Sequence, residues 1–303
     1  MRRIGQCVKL GNRHDTSSRN EQPWAGGLGV MTSPLQGEDR RFDSAPAHHS
    51  RRKQKMLGQN FLIDNNIATK IVNLASIKDG EKILEIGPGR GILTELLADK
   101  GKLLAVEKDR WLAVVLKQKF AGRAEIVEDD ILKFELPEID VIVANLPYSI
   151  SSPILFRLFN YKWERAVLMF QEEFANRLVA SPGSKVYGRL SVMANHYVDT
   201  RKLFKVSKTA FQPQPKIHSQ VVQLVRRTPD YELDDFDTFE EVVRSIFTHR
   251  RKKIRNCLKL DFKDIEIDDL ENMDERAEVL KPSEIAALSN SIFARKSEQS
   301  FEK

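Results

Sequence analysis

Cysteine is scarce in this chain: of 303 residues only Cys7 and Cys257 are cysteines. One stands near the start and the other in a basic stretch near the end, which excludes a disulfide framework and a Cys-x-x-Cys metal site. That usage fits a reducing compartment, and the chain reads as cytoplasmic. No apolar run approaches the roughly 18 residues that a membrane helix needs, so no membrane span is expected. Residues 1–50 have few periodic apolar positions and read as a disordered extension. No apolar stretch follows Arg2 and Arg3, as a secretory signal requires, and Asp15, Glu21, Glu38, Asp39 and Asp43 argue against a transit peptide. Neither sign of charge dominates. The 49 Lys and Arg exceed the 43 Asp and Glu by a net +6, which is compatible with a polyanionic partner without requiring one.

What is present is regular alternation. Asp64 can cap a helix over 67–75. Short apolar runs at 82–87, 103–107, 124–128, 141–145 and 166–171 read as buried strands. Helical patterns at 91–99, 109–120, 152–159 and 172–180 lie between or after them, and 203–207 and 221–227 are later strand candidates. Such alternation specifies an α/β fold with a mostly parallel sheet covered on both faces. Trp111 reads as a core residue packed on that sheet. The alternation ends near Thr228. An acidic stretch with Pro229 reads as a linker, and 238–247, 250–260 and 282–294 read as helices. The expected organisation is therefore an extension (1–50), an α/β domain (51–228) and a small helical domain (229–303).

Three motifs fall at strand ends. The first is Leu84-Glu85-Ile86-Gly87-Pro88-Gly89-Arg90-Gly91, where glycines let the backbone turn and approach a ligand closely. The spacing is not that of dinucleotide binders, and Glu85 would repel a pyrophosphate. About twenty residues further, Glu107 closes the second strand, where an acid can bind ribose hydroxyls. The third strand ends in Asp129 and Asp130, either of which can accept an exocyclic adenine amine. These features favour a cationic nucleoside such as S-adenosylmethionine.

The fourth strand runs into Asn145-Leu146-Pro147-Tyr148. The lone pair of an adenine amine is delocalised into the ring, and a stacked base must be splayed out before it can react. Two acceptors against its two N–H bonds localise that lone pair. The Asn145 side-chain oxygen and the Leu146 or Pro147 carbonyl are those acceptors. Pro147 removes a competing N–H, and Tyr148 offers a stacking face. No zinc-deaminase ligand pattern exists, and no metal is needed.

On these motifs, residues 53 to about 260 closely resemble the KsgA/RsmA family of ribosomal RNA adenine dimethyltransferases. The resemblance implies a Rossmann-like class I methyltransferase with a mostly parallel seven-stranded sheet and a small C-terminal helical domain. It implies cofactor contacts from Gln59, Asn60 and Leu62 of the Lys55–Leu62 motif, from Glu85, Gly87 and Gly89 of the glycine loop, and from Glu107, Asp130 and Asn145. Tyr148 becomes the stacking aromatic. Phe211, in the motif spanning 210–219, becomes the opposite face of the base sandwich. Segments 181–197 and 249–258 resemble the small-subunit enzymes, implying two adjacent adenosines near the 3′ end of small-subunit rRNA, each dimethylated. The expected partner is the small ribosomal subunit, met by a monomer.

Arg51, Arg52 and Lys53, with Arg250, Arg251, Lys252, Lys253 and Arg255, are the basic clusters read as RNA-binding. Acids at 261–278 suggest a bipolar domain whose acidic face repels RNA. His196 and His218 read as structural. Competing readings are a DNA or protein-glutamine N-methyltransferase, or an assembly or transcription factor in which binding persists without catalysis.

Overall fold

The structure is a computed structural model that describes residues 60–301. Gln59, Arg51, Arg52, Lys53 and the extension read at 1–50 lie outside the described residues.

Nine strands and nine α-helices are described. The strands are β1 (Phe61–Leu62), β2 (Lys82–Ile86), β3 (Lys102–Glu107), β4 (Glu125–Glu128), β5 (Val141–Asn145), β6 (Arg165–Gln171), β7 (Val198–Val206), β8 (Phe211–Gln212) and β9 (Ser219–Arg226). The helices are α1 (Asn65–Leu74), α2 (Ile92–Leu97), α3 (Arg110–Lys119), α4 (Ser151–Phe159), α5 (Glu172–Leu178), α6 (Arg189–Tyr197), α7 (Phe236–Thr248), α8 (Ile254–Asp261) and α9 (Pro282–Phe301).

Seven strands form one sheet in the order β4-β3-β2-β5-β6-β9-β7. The first five are mutually parallel, and β9 runs antiparallel to both of its neighbours, β6 and β7. Strand order reverses between β2 and β5, and a crevice opens there at the carboxyl ends of the strands. The strands are Ile-, Leu- and Val-rich runs because both faces are covered. One face packs on α1, α2 and α3 through Ile71, Leu93, Leu97, Leu116 and Phe120. The other packs on α4, α5 and α6 through Leu155, Leu158, Leu178 and Leu190. The Asp64 carboxylate accepts the Asn66 and Ile67 N–H groups at 2.9 and 3.1 Å and starts α1, a cap worth about 1 kcal/mol. A two-stranded antiparallel ribbon, β1 with β8, pairs Leu62 with Phe211.

Two sequence expectations are corrected. Trp111 is 69% exposed. Helix α3 turns Leu112, Ala113 and Leu116 inward, and at 100° per residue this leaves Trp111, Val114 and Val115 outward. Residues 250–253 are not helical: α8 begins only at Ile254, and Lys253 makes a bridge with Arg276. Helix α6 was not anticipated. It serves two cores, giving Leu190 and Ala194 to the sheet and Val192 and Met193 to a cluster built with α7, α8 and α9. The acidic linker is anchored at its end, where Asp235 accepts the Thr238 N–H at 2.7 Å and caps α7. Among the described residues no helix is long and apolar enough to cross a membrane.

Candidate active site

The crevice between β2 and β5 holds about 660 Å³ of space, part of it open to solvent. Its walls bring together Asn60, Leu62, Glu85, Gly87, Gly89, Glu107, Asn145, Leu146, Pro147 and Tyr148, ten of the residues singled out in the sequence. Phe61, Arg90 and Ile92 also line it and were not singled out. Phe61 takes part through β1, and the Arg90 guanidinium lies 4.8 Å over its ring.

The glycine loop follows β2. Gly89 has φ +60°, a left-handed conformation costly for any residue with a Cβ, and a Cβ there would sit 2.9 Å from Phe61 Cδ1. Its N–H donates to Glu107 Oε2 at 2.9 Å, while the Asp109 N–H donates to Oε1 at 2.9 Å. The acid at the end of β3 thereby braces the loop at the end of β2. Each carboxylate oxygen keeps a lone pair for a further donor, such as a sugar hydroxyl.

Glu85 is 1% exposed, and its Oε2 has no hydrogen-bond partner. Burial pushes its carboxyl up to about 8, partly offset by the nearby Thr94 and reinforced by the negative charge of Glu107. Burial likewise raises the Glu107 carboxyl, against the backbone N–H groups of Asp109 and Gly89. Neither buried acid has a cationic side chain paired to it among the described residues, so Glu85 holds its proton in the empty cleft up to about pH 8. An unpaired buried carboxylate is costly, so the pocket favours a cationic ligand.

Asn145 ends β5. Its Nδ2 donates to the Asn60 carbonyl at 3.2 Å, which directs Oδ1 away as an acceptor. Tyr148 opens a single 3-10 turn (Tyr148–Ile150), and its hydroxyl lies 2.6 Å from Ser219 Oγ. Burial raises the Tyr148 hydroxyl and the Ser219 bond lowers it, so the ring stays neutral.

Two named residues stand apart from the cleft walls. Asp130 follows β4, where its carboxylate is held by Lys108 at 2.7 Å and by the Leu132 N–H at 3.0 Å. The Lys108 ammonium holds it below the usual carboxylate range. Phe211 is 2% exposed and packs in the sheet core beside Leu62 rather than presenting a face to the cleft.

Most of the C-terminal basic cluster is paired with the chain's own acids in partly exposed ion pairs. Arg250 pairs with Glu278 at 3.0 Å, Lys253 with Asp274 at 3.0 Å, and Arg255 with Asp268 at 3.1 Å and Asp274 at 3.3 Å. Asp268 also takes Lys259, and Asp269 takes Arg295. The bipolar domain read from the sequence is thus folded onto itself, acid against base. Arg251 and Lys252 stay exposed.

A seven-stranded sheet with one antiparallel strand, a glycine loop braced by an acid on the next strand, and Asn-Leu-Pro-Tyr at the switch point define a class I methyltransferase fold. The profile of the family "Ribosomal RNA adenine dimethylase" matches residues 50–298. The chain belongs to that family and is an rRNA methyltransferase. It is 42% identical over 251 residues to the "Probable ribosomal RNA small subunit methyltransferase A" of Methanosarcina acetivorans, covering 79% of this chain and 93% of the relative. It is 44% identical over 205 residues to the protein of the same name from Thermococcus sibiricus, covering 67% and 74%. A solved dimethyladenosine transferase from Plasmodium falciparum superposes with TM-score 0.68 at 26% identity, covering 78% of this chain and 98% of that one. The solved 23S rRNA methyltransferase ErmE gives TM-score 0.61 at 27% identity, covering 77% and 100%.

Proposed function

We propose that the chain transfers methyl groups from S-adenosylmethionine to the N6 amines of two adjacent adenosines in the 3′-terminal hairpin of small-subunit rRNA, two groups to each. The observation that carries this is the oriented Asn145 amide, next to Tyr148 and in the same cleft as the unpaired Glu85.

The cleft residues fit the cofactor. Glu107, and Glu85 once a cation displaces its proton, would supply negative charge for a ligand with a sulfonium and an ammonium, and the glycine loop leaves room beside them. Asn60, Leu62, Glu85, Gly87, Gly89, Glu107 and Asn145 would hold it. Asp130 would join by sharing its carboxylate between Lys108 and the adenine amine. Bound S-adenosylmethionine supplies a methyl group on positive sulfur, an electrophile needing no metal.

The chain's own residues do the positioning. Tyr148 stacks under the displaced adenine, a contact worth roughly 1–3 kcal/mol. Asn145 Oδ1 accepts one N–H of the amine, and the Leu146 or Pro147 carbonyl accepts the other. Both bonds pull the nitrogen toward tetrahedral geometry and aim its lone pair, so the gain comes from orientation and fixed dipoles. Phe211 would serve as the second face once its buried ring became accessible to the base. Arg251 and Lys252 would meet phosphate, joined by Arg51, Arg52 and Lys53 and, where their ion pairs open, by Arg250, Lys253 and Arg255. We place this activity on a cytoplasmic monomer, with 51–228 as the catalytic domain and 229–303 as the RNA-binding domain. The small-subunit target rests on the names of the Methanosarcina and Thermococcus relatives.

Tritiated S-adenosylmethionine, incubated with unmethylated small subunits and with large subunits in parallel, tests the reading. Label in N6,N6-dimethyladenosine from small subunits alone supports it. Label from large subunits moves the target. No label from either, with cofactor bound, overturns it.

A further inference from the structure

We propose that Ser219 is a positioning residue for the stacking ring of Tyr148, and that this bond governs how often the second methyl group follows the first. The proposal rests on the assignment of Tyr148 as the stacking aromatic.

The Tyr148 hydroxyl lies 2.6 Å from Ser219 Oγ. Ser219 is 0% exposed and opens β9. It stands in register with Gln171 of β6 on one side and Val206 of β7 on the other, so its backbone is held by a strand on each side. Tyr148 is therefore held at both ends: its backbone follows β5, and its hydroxyl is tied to β9, two strands away. A ring anchored only at its backbone samples several rotamers and must be ordered each time a base docks. The second anchor sets the ring plane before the base arrives. The bond needs only the two hydroxyls, so it adds no charge to the cleft.

Dimethylation uses this hold unequally. Each transfer forms one N–C bond from the nitrogen lone pair, breaks the donor's C–S bond with its pair left on sulfur, and releases one N–H proton to solvent. Unmodified adenine presents two N–H bonds, one to Asn145 Oδ1 and one to the backbone carbonyl. After the first transfer only one N–H remains. One acceptor loses its partner, and stacking on Tyr148 carries a larger share of what retains the base. The second transfer is therefore the one that depends more on a fixed ring.

The test compares Ser219→Ala, Tyr148→Phe, the double variant and Tyr148→Ala on unmethylated small subunits. The readouts are the ratio of N6-methyladenosine to N6,N6-dimethyladenosine, cofactor affinity and melting temperature. Ser219→Ala and Tyr148→Phe should each raise the monomethyl share roughly threefold to tenfold, the worth of one hydrogen bond. The double variant should go no further than either single change, since each removes the same bond, and cofactor affinity should stay at the wild-type value. An unchanged product ratio, or effects that multiply in the double variant, overturns the proposal, as does an equal fall in cofactor affinity. If Ser219→Ala melts too early to assay, Tyr148→Phe removes the bond from the ring side and carries the test alone. Intact turnover and product ratio in Tyr148→Ala would sink the stacking assignment itself. Lost turnover there with an unshifted ratio in Ser219→Ala would sink only the present inference.

Discussion

The Asn145 side-chain amide donates to the Asn60 carbonyl over 3.2 Å, so a residue at the end of a central strand is oriented by the segment that opens the cleft. That bond decides which way the amide faces, and the acceptor oxygen is the one left for a substrate N–H. Asn145→Ala should lower kcat roughly a hundredfold to a thousandfold, the cost of removing one pre-positioned polar group from a reacting centre. RNA affinity by filter binding should be unchanged. Comparable turnover in that variant would remove Asn145 from the reaction.

Glu85 makes cofactor binding depend on pH. In the unfolded chain it titrates near 4.5, and in the fold at about 8. Between those values the folded state holds the extra proton. The empty protein is therefore favoured at low pH and loses that contribution as pH rises through about 8. A cationic ligand reverses the preference and favours the carboxylate. Below pH 8 its binding should expel a proton, and affinity should rise with pH by up to tenfold per unit, about 1.4 kcal/mol. Calorimetry in two buffers of different ionisation enthalpy counts the protons. Glu85→Gln should release fewer than the wild type, and equal counts would show that Glu85 does not titrate on binding.

Gly89→Ala combines a left-handed φ with a Cβ pressed against Phe61. The backbone term alone costs roughly 1–2 kcal/mol, which should lower the melting temperature by roughly 2–8 °C. Cofactor affinity should fall further, because the loop that Glu107 braces is displaced. A variant that melts and binds like wild type would mean that the loop moves without cost.

Salt dependence separates the free bases from the paired ones. Arg251→Ala and Lys252→Ala should each flatten the slope of log affinity against log salt by about 0.7–0.9, one phosphate contact apiece. Arg250→Ala should instead lower the melting temperature, since it leaves Glu278 without its partner. A steeper loss of RNA affinity in Arg250→Ala than in Arg251→Ala would place the phosphate track on the paired face.

The strands were legible as short apolar runs, and Glu85, Glu107 and Asn145 were found because each closes or borders such a run. What stayed hidden is long-range. Nothing local marks Leu62 and Phe211 as partners, and two-residue strands carry no period to detect. Helix α6 escaped because it is apolar on two sides, one for each core, so no single stripe appears. Trp111 was misplaced because which side of α3 faces the sheet is set by packing at Leu112 and Leu116. The basic cluster looked free because the acids that neutralise it lie further along the chain and return only in the fold.

The late position of β8 and β9 bears on the timing of synthesis. A ribosome making this chain delivers the glycine loop, Glu107 and Asn145–Tyr148 well before residues 211–219. Until those residues emerge, β1 has no partner and the Tyr148 hydroxyl has no anchor. Nascent chains stalled before Phe211 lack β9, which joins β6 to β7, and should therefore show less cofactor binding and transfer than the full chain, which a pulse of labelled donor can check. The pieces of the cleft thus arrive in two instalments, and the sheet that carries them is complete only after β9 has been made.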